Sequence, residues 1–345
     1  MSELKGAQNC LELDVERLLK LLELFDGVHL LVVGDVLLDE YLWGDAERIS
    51  PEAPVPVVRI DRESVVLGGA GNVVQNLLAL GGRCSFSTVV GDDPDGQQVR
   101  ELLSLQGVST AGVVVENGRP TARKTRVVSR GSQMIRFDRE TTLPVADEIS
   151  GALVECNPGS EGPLDGAILA DYGKGLFTPS FTRALIRRLV KEKVPVAVDP
   201  KGELSIYRGA SLLKPNGFEA LDLVGADKFG DPVADRFCLR AQRVLGDIQI
   251  VVTEGADGMA VFDGTQPGIR VPTIRREVFD VQGAGDTAMA ALSLALRVGA
   301  SLVEAALIAN VAAGVVVNKT GTATVTRNEV RGLLPDTVAR LQEVR

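Results

Sequence analysis

Short apolar runs alternate along most of the chain with longer stretches in which Leu, Val and Ala recur every third or fourth position. The runs at 29–34, 85–90, 167–170, 194–198, 211–213 and 248–253 predict the strands of a buried sheet. Helical spacing predicts helices at 73–80, from Asp93-Pro94 onward, from Thr178-Pro179 to Lys191, and at 284–298, 301–318 and 328–343. Asp93-Pro94 and Thr178-Pro179 each set a capping side chain before a proline at the first helical position, and Ser301 with Glu304 forms a capping box. Leu11, Leu13, Leu18, Leu19, Leu21, Leu22 and Leu24 predict a further helix within an N-terminal extension, residues 1–26. Strand and helix in turn specify an α/β fold: a central, mainly parallel β-sheet with helices on both faces.

Two stretches break that rhythm. Residues 41–66 contain Pro51, Pro54 and Pro56, which no helix interior tolerates, and residues 111–142 carry β-branched runs around Arg123-Lys124-Thr125-Arg126-Val127-Val128. Together they predict a small β lid interrupting one large domain, residues 27–345.

Composition narrows the partners. The chain has 345 residues, 45% apolar, with 37 glycines and a net charge of −9. An acidic balance argues against a general nucleic-acid or anionic-membrane surface, so any phosphate must be met by a local cluster of basic residues. Cys10, Cys84, Cys156 and Cys238 form no C-x-x-C pair, which signals neither zinc nor a disulfide framework. Without a signal peptide or a long apolar run, a reduced, cytoplasmic protein is expected. His29, the only histidine, lies inside an apolar run and reads as a buried strand residue.

The chemistry is expected at Asp280-Val281-Gln282-Gly283-Ala284-Gly285-Asp286-Thr287, a tight turn opening into a helix. Gly283, Ala284 and Gly285 offer backbone N–H groups to an anion at a helix N-terminus. Asp286 beside them is placed to accept a proton next to a transferring phosphoryl group. Asp is also a common helix cap, so the turn gains weight from its company. Asp35, Asn72, Asp171 with Lys174, Asp199 with Lys201, Asn216 with Glu219, and 253–258 all follow predicted strands, where ligands bind in such sheets.

Gly68-Gly69-Ala70-Gly71-Asn72 followed by Gly81-Gly82, and then the 280–293 segment, resemble the paired signatures of the PfkB, or ribokinase-like, family of carbohydrate kinases. The resemblance covers nearly the whole chain. It implies phosphoryl transfer from ATP with Mg2+, and leaves open a monovalent cation such as K+. It implies Asp286 as general base with the Gly283–Gly285 amides as anion hole. Nucleotide binding is implied for Lys201, Asn216, Glu219, Thr253, Gly255, Gly258, Asn310 and Gly314, with Glu219 placing magnesium through water. Asp35, Gly68, Gly69, Asn72 and Asp171 would face the sugar, and Arg123, Lys124, Arg126, Arg136 and Lys174 a distal phosphate, with Arg130 in the same local supply. Within the family, Gly34–Tyr41, 48–58, Lys124-Thr125-Arg126-Val127, Asp171-Tyr172-Gly173-Lys174-Gly175, Asp199-Pro200-Lys201-Gly202 and Gly321-Thr322 are similar to kinases of D-glycero-β-D-manno-heptose 7-phosphate, which act at its anomeric hydroxyl. Some of these are fused to an adenylyltransferase bearing an H-x-G-H motif, which is not expected here with His29 alone. Val74 and Gln282 depart from the usual small residue and Thr. A homodimer through the lids matches the family habit.

Other classes fit less well. A dinucleotide-dependent dehydrogenase needs G-x-G-x-x-G after its first strand, where Gly34-Asp35-Val36-Leu37 stands instead, and Gly173-Lys174-Gly175 lacks the Ser or Thr of a P-loop. The runner-up is another sugar, sugar-phosphate or nucleoside kinase of the same fold.

Overall fold

The structure, a computed structural model, describes residues 13–155, 162–224, 233–263, 268–273, 281–319 and 321–343. Cys10, Cys156, Asp280 and the first residues of the predicted N-terminal helix lie outside them. In chain order the elements are α1 (Val15–Glu23), β1 (His29–Gly34), β2 (Val36–Ile49), β3 (Pro56–Gly69), α2 (Ala70–Ala79), β4 (Arg83–Gly91), α3 (Pro94–Leu105), β5 (Val113–Glu116), β6 (Ala122–Ser129), β7 (Ser132–Arg139) and α4 (Asp147–Glu155). They continue as β8 (Gly166–Ala170), α5 (Pro179–Lys191), β9 (Val196–Asp199), β10 (Leu212–Leu213), α6 (Gly217–Val224), α7 (Val233–Leu245), β11 (Gln249–Thr253), β12 (Met259–Phe262), β13 (Ile269–Val271), α8 (Ala284–Arg297), α9 (Leu302–Val316) and α10 (Arg327–Glu343).

The main sheet has nine strands in the order β13-β12-β11-β10-β9-β8-β1-β4-β5, parallel from β11 to β5, with β12 and β13 added antiparallel at one edge. Alternation along β1 shows why its apolar run is unbroken. Leu30 and Val32 enter the core under α2, α8 and α9, while Leu31 and Val33 enter the one under α5 and α7. A strand covered on both faces has no solvent side to mark with polar residues. His29 is buried there, its Nε2 2.9 Å from Ser85 Oγ.

β2, β3, β6 and β7 form a separate sheet in the order β3-β2-β6-β7. Its boundaries differ from those expected. β2 begins at Val36, with only Asp35 between it and the end of β1, and β3 continues to Gly69, so the lid strands grow directly out of the main sheet. β5 is not lid: Val113–Glu116 pairs in parallel with Thr88–Gly91 of the main sheet, where its β-branched residues extend the buried edge. α2 starts at Ala70 rather than Val73, which puts Asn72 in its first turn. The β12–β13 edge and helices α6 and α7 were not anticipated.

Candidate active site

α8 opens with Gly283 in the left-handed region (φ 75°) and no side-chain cap; the Ala284 N–H reaches the Val281 carbonyl at 3.4 Å, and the next N–H groups have no partner within the helix. A Cβ on Gly283 would come within 2.5 Å of Asn72 Nδ2, which makes glycine a packing requirement as well. Asp286 follows in the first turn. Its Oδ2 accepts a hydrogen bond from Asn72 Nδ2 (2.7 Å), and its Oδ1 accepts one from the Tyr172 hydroxyl.

Asn72 is itself oriented. Asn76, one turn on, donates to Asn72 Oδ1 at 3.1 Å and to its carbonyl at 2.9 Å. The Asn76 Oδ1 accepts from Thr287 Oγ1 (2.9 Å) and from Val325 N–H (3.3 Å). This buried chain of amides locks α2 to α8 and leaves Asp286 at its open end. Burial pushes the Asp286 carboxyl up to about 6, against the pull of the Tyr172 and Asn72 hydrogen bonds and the Lys214 charge. The Lys214 ammonium is fully enclosed, 2.9 Å from Asp199 and 3.8 Å from where a Cβ on Gly285 would sit. Burial works against that charge, but Asp199, Glu219 and Asp286 outweigh it and raise its pKa.

Asp35, between β1 and β2, accepts at Oδ2 from the backbone N–H groups of Tyr172 (3.0 Å) and Lys174 (3.2 Å), while burial raises its pKa. Asp171 accepts from Gly173 N–H (2.8 Å) and the Tyr207 hydroxyl (2.6 Å), and burial raises it to about 7. Gly68 and Gly69 are sterically required. A Cβ at Gly68 would lie 2.1 Å from Asp39 Oδ2, and one at Gly69, whose φ is 57°, would lie 2.6 Å from the Asp35 carbonyl.

The lid turns one face to this floor. Tyr41 donates to Gln282 Oε1 (2.7 Å) and accepts from Thr322 N–H (3.2 Å), while Thr322 Oγ1 donates to Asp39 (3.2 Å). Asp39, Tyr41, Lys124 and Arg126 share that face by register, with Arg136 opposite Arg126. Strand alternation sends Arg123 to the other face, where it pairs with Glu40 and Asp95. Arg123 thus lies on the lid face opposite the one that carries Lys124 and Arg126. Arg126 is paired with Asp39 at 2.5 Å, Arg136 with Asp138 at 2.9 Å and Lys174 with Glu140 at 2.6 Å. Lys124 forms no ion pair among the described residues, and burial holds its ammonium below the usual lysine range. Arg130 sits at the exposed β6–β7 turn, 4.0 Å from Asp45.

Farther along the same sheet edge, Asn216 and Glu219 cap α6 reciprocally: Glu219 N–H donates to Asn216 Oδ1 and Asn216 N–H to Glu219 Oε2, both at 2.9 Å. Glu219 Oε1 lies 3.4 Å from Lys201 Nζ, and a cavity of about 490 Å³ adjoins both residues. Thr253 bridges Asn216, and Gly255 and Gly258 take positive φ in the turn that follows. The Asn310 side chain is engaged by Thr273 Oγ1 (2.8 Å) and the Pro272 carbonyl (3.0 Å). Gly314, one turn on, leaves open space where a Cβ would be.

Residues 29–329 match the profile of the pfkB family of carbohydrate kinases. The chain belongs to that family. The chain is 42% identical over 314 residues to the bifunctional protein HldE of Desulfatibacillum aliphaticivorans, covering 91% of this chain and 64% of the relative. It is 44% identical over 306 residues to HldE of Trichlorobacter lovleyi, covering 87% and 61%. It thus spans about three fifths of the length of these curated relatives. Among solved structures, Escherichia coli phosphofructokinase-2 in complex with substrates and products superposes with a TM-score of 0.73 at 21% identity, over 90% of this chain and 99% of that one. Arabidopsis thaliana ribokinase complexed with ribose and ATP gives 0.69 at 21%, over 89% and 98%. The fold is ribokinase-like.

In this pfkB-family kinase, the structure gathers Asp35, Asn72, Asp171, Lys174 and Asp286 around one cleft, with Lys124 and Arg126 on the lid face turned toward it. Sequence reading passed over Asn76, Lys214 and Tyr207, and quoted Tyr172 only within a motif. Each is an ordinary residue type whose partner lies far along the chain, and only the buried polar character of Asn76 and Lys214 in apolar surroundings hinted at them. Of the Glu219 carboxylate oxygens, Oε2 serves the helix cap and Oε1 faces Lys201 Nζ. No cluster of three or more metal-ligating side chains occurs among the described residues. No described helix is long and apolar enough to cross a membrane.

Proposed function

We propose that this chain transfers the γ-phosphoryl group of ATP to the anomeric hydroxyl of a sugar that already carries a phosphate, D-glycero-β-D-manno-heptose 7-phosphate. The observation that carries this reading is Asp286. It is a carboxylate with pKa near 6, fixed by two neutral donors at an uncapped helix N-terminus, beneath a lid face that presents Lys124. Asp286 takes the acceptor proton as the hydroxyl oxygen attacks, and the Gly283–Gly285 turn amides steady the charge on the transferring group. Asp35 and Asn72 orient the sugar, and Lys124 with Arg126 meets its distal phosphate. On the nucleotide side, Lys201, Asn216, Glu219, Thr253, Gly255, Gly258, Asn310 and Gly314 form the proposed surface. Magnesium carried by the nucleotide would neutralise phosphate charge there. A monovalent cation such as K+ is a further proposed requirement, checked by replacing it with a bulky organic cation.

The heptose assignment rests on the resemblance of the Asp171-Tyr172-Gly173-Lys174-Gly175 and lid segments to heptose 7-phosphate kinases, together with the HldE likeness. ADP release with ATP, Mg2+ and this heptose phosphate, beside ribose, fructose 6-phosphate and adenosine, tests it. Selective turnover of the heptose phosphate is expected, and preference for another acceptor would sink that assignment. We also propose a cytoplasmic homodimer through the lids, whose Ile49, Ile60, Ile135 and Phe137 are exposed. Sedimentation of the parent and an Ile135→Lys, Phe137→Lys variant distinguishes dimer from monomer.

A further inference from the structure

The loop after β8 joins two acids through one residue. Tyr172 donates its backbone N–H to Asp35 Oδ2 at 3.0 Å and its phenolic hydroxyl to Asp286 Oδ1. These carboxylates stand at the end of β1 and the start of α8, and no other described hydrogen bond links them through a single residue. The loop is held from both flanks. Asp171 is tied to the Tyr207 hydroxyl at 2.6 Å, Lys174 N–H donates to Asp35 at 3.2 Å, and Gly173 and Gly175 supply the positive φ values of its turn. The phenol is thereby delivered at a fixed height over the cleft.

We propose that Tyr172 is a positioning residue that aims the Asp286 carboxylate and couples it to the Asp35 side of the cleft. A carboxylate oxygen has two acceptor directions. Asn72 uses one on Oδ2 and Tyr172 one on Oδ1, so a substrate hydroxyl can donate to Asp286 while both bonds persist. Two donors on different oxygens fix the plane of the carboxylate, which one donor would leave free to rotate. Burial beside Asp286 and Asp199 keeps the phenol protonated, so it acts as a donor throughout. The charged and titratable groups acting on Asp286 are Tyr172 itself, Lys214, Asp39 and Asp199, while α2 contributes neutral Asn72 and Asn76. The kinetic consequence rests on Asp286 being the base, as proposed above; the hydrogen bond's hold on its ionisation does not.

The test is Tyr172→Phe, with Tyr207→Phe as control for loop displacement. A carbon-13 titration of the Asp286 carboxyl, assigned with Asp286→Asn, reads its ionisation without turnover. Removing a donor from the ionised form is expected to raise the Asp286 midpoint by about one pH unit in Tyr172→Phe and to leave it in place in Tyr207→Phe. With an acceptor that the parent turns over, kcat is expected to fall about tenfold with the KM for ATP unchanged, and the acid limb of the rate profile to move up with the midpoint. An unmoved midpoint in Tyr172→Phe, or an equal shift in both variants, would overturn the proposal. Failure of every sugar acceptor would count against the proposed function alone.

Discussion

On the floor of the cleft Asp286 is held by neutral donors, Asn72 and Tyr172, whereas on the lid Arg126 and Arg136 are each held by a carboxylate. A neutral donor fixes a charged group in space without cancelling its charge. An ionic partner cancels the charge, so a ligand must displace it or share it. The floor is therefore suited to chemistry that repeats unchanged, and the lid to recognition that differs between substrates. Lys124, on the lid face turned to the floor, forms no ion pair among the described residues, and in the proposed reading it is the group that meets the acceptor's phosphate.

The largest expected break in this contrast is Asp286→Asn. Loss of the proposed proton acceptor is expected to lower kcat by about 10²- to 10⁴-fold with the KM for ATP little changed, as steady-state kinetics will read. The same substitution sharpens the electrostatic side. Asp286 titrates near 6 when folded, above the ordinary 3.8, so the folded state holds the extra proton between those values. Stability contributed by that proton is present below the unfolded value and is lost as pH rises through the folded one. The substituted amide cannot ionise, so denaturant titrations should show the variant gaining about 1–3 kcal/mol relative to the parent between about pH 4 and about pH 8.

Where floor and lid meet, smaller effects follow. Gly69→Ala meets both a positive φ and the Asp35 carbonyl, and is expected to cost about 1–3 kcal/mol of stability in urea titration. A neutral result there would mean that the β3–α2 junction relaxes freely. Tyr41→Phe removes the hydrogen bonds to Gln282 and Thr322 that seat the lid on the α8 turn. It should cost about 0.5–1.5 kcal/mol by the same measurement.

Much of the floor was legible in advance because its parts are local. Gly283 to Asp286 is a contiguous turn, and the apolar runs of β1 and β8 follow from burial on both faces. What could not be read depends on register and on distant pairing. Arg123 and Lys124 are adjacent and equally basic, yet strand alternation sends one to α3 and the other to the cleft. Tyr172 and Asp286 are 114 positions apart, and Thr287 and Asn76 are 211. β5 misled because a Val-rich run reads alike in a lid and at the edge of a buried sheet; only its pairing with β4 decides. Asn216 and Glu219 carry a second lesson, since the spacing that resembles a nucleotide-binding element also serves a reciprocal helix cap.

The division between floor and lid is tested most directly by kcat/KM for a phosphorylated sugar relative to its unphosphorylated counterpart, in the parent, Asp286→Asn and Lys124→Ala. Asp286→Asn is expected to depress both values alike and leave their ratio unchanged. Lys124→Ala is expected to lower the ratio by about 10- to 100-fold through the phosphorylated acceptor alone, the worth of one charge-assisted contact. A ratio that moves with Asp286, or a loss in Lys124→Ala shared equally by both sugars, would contradict the account.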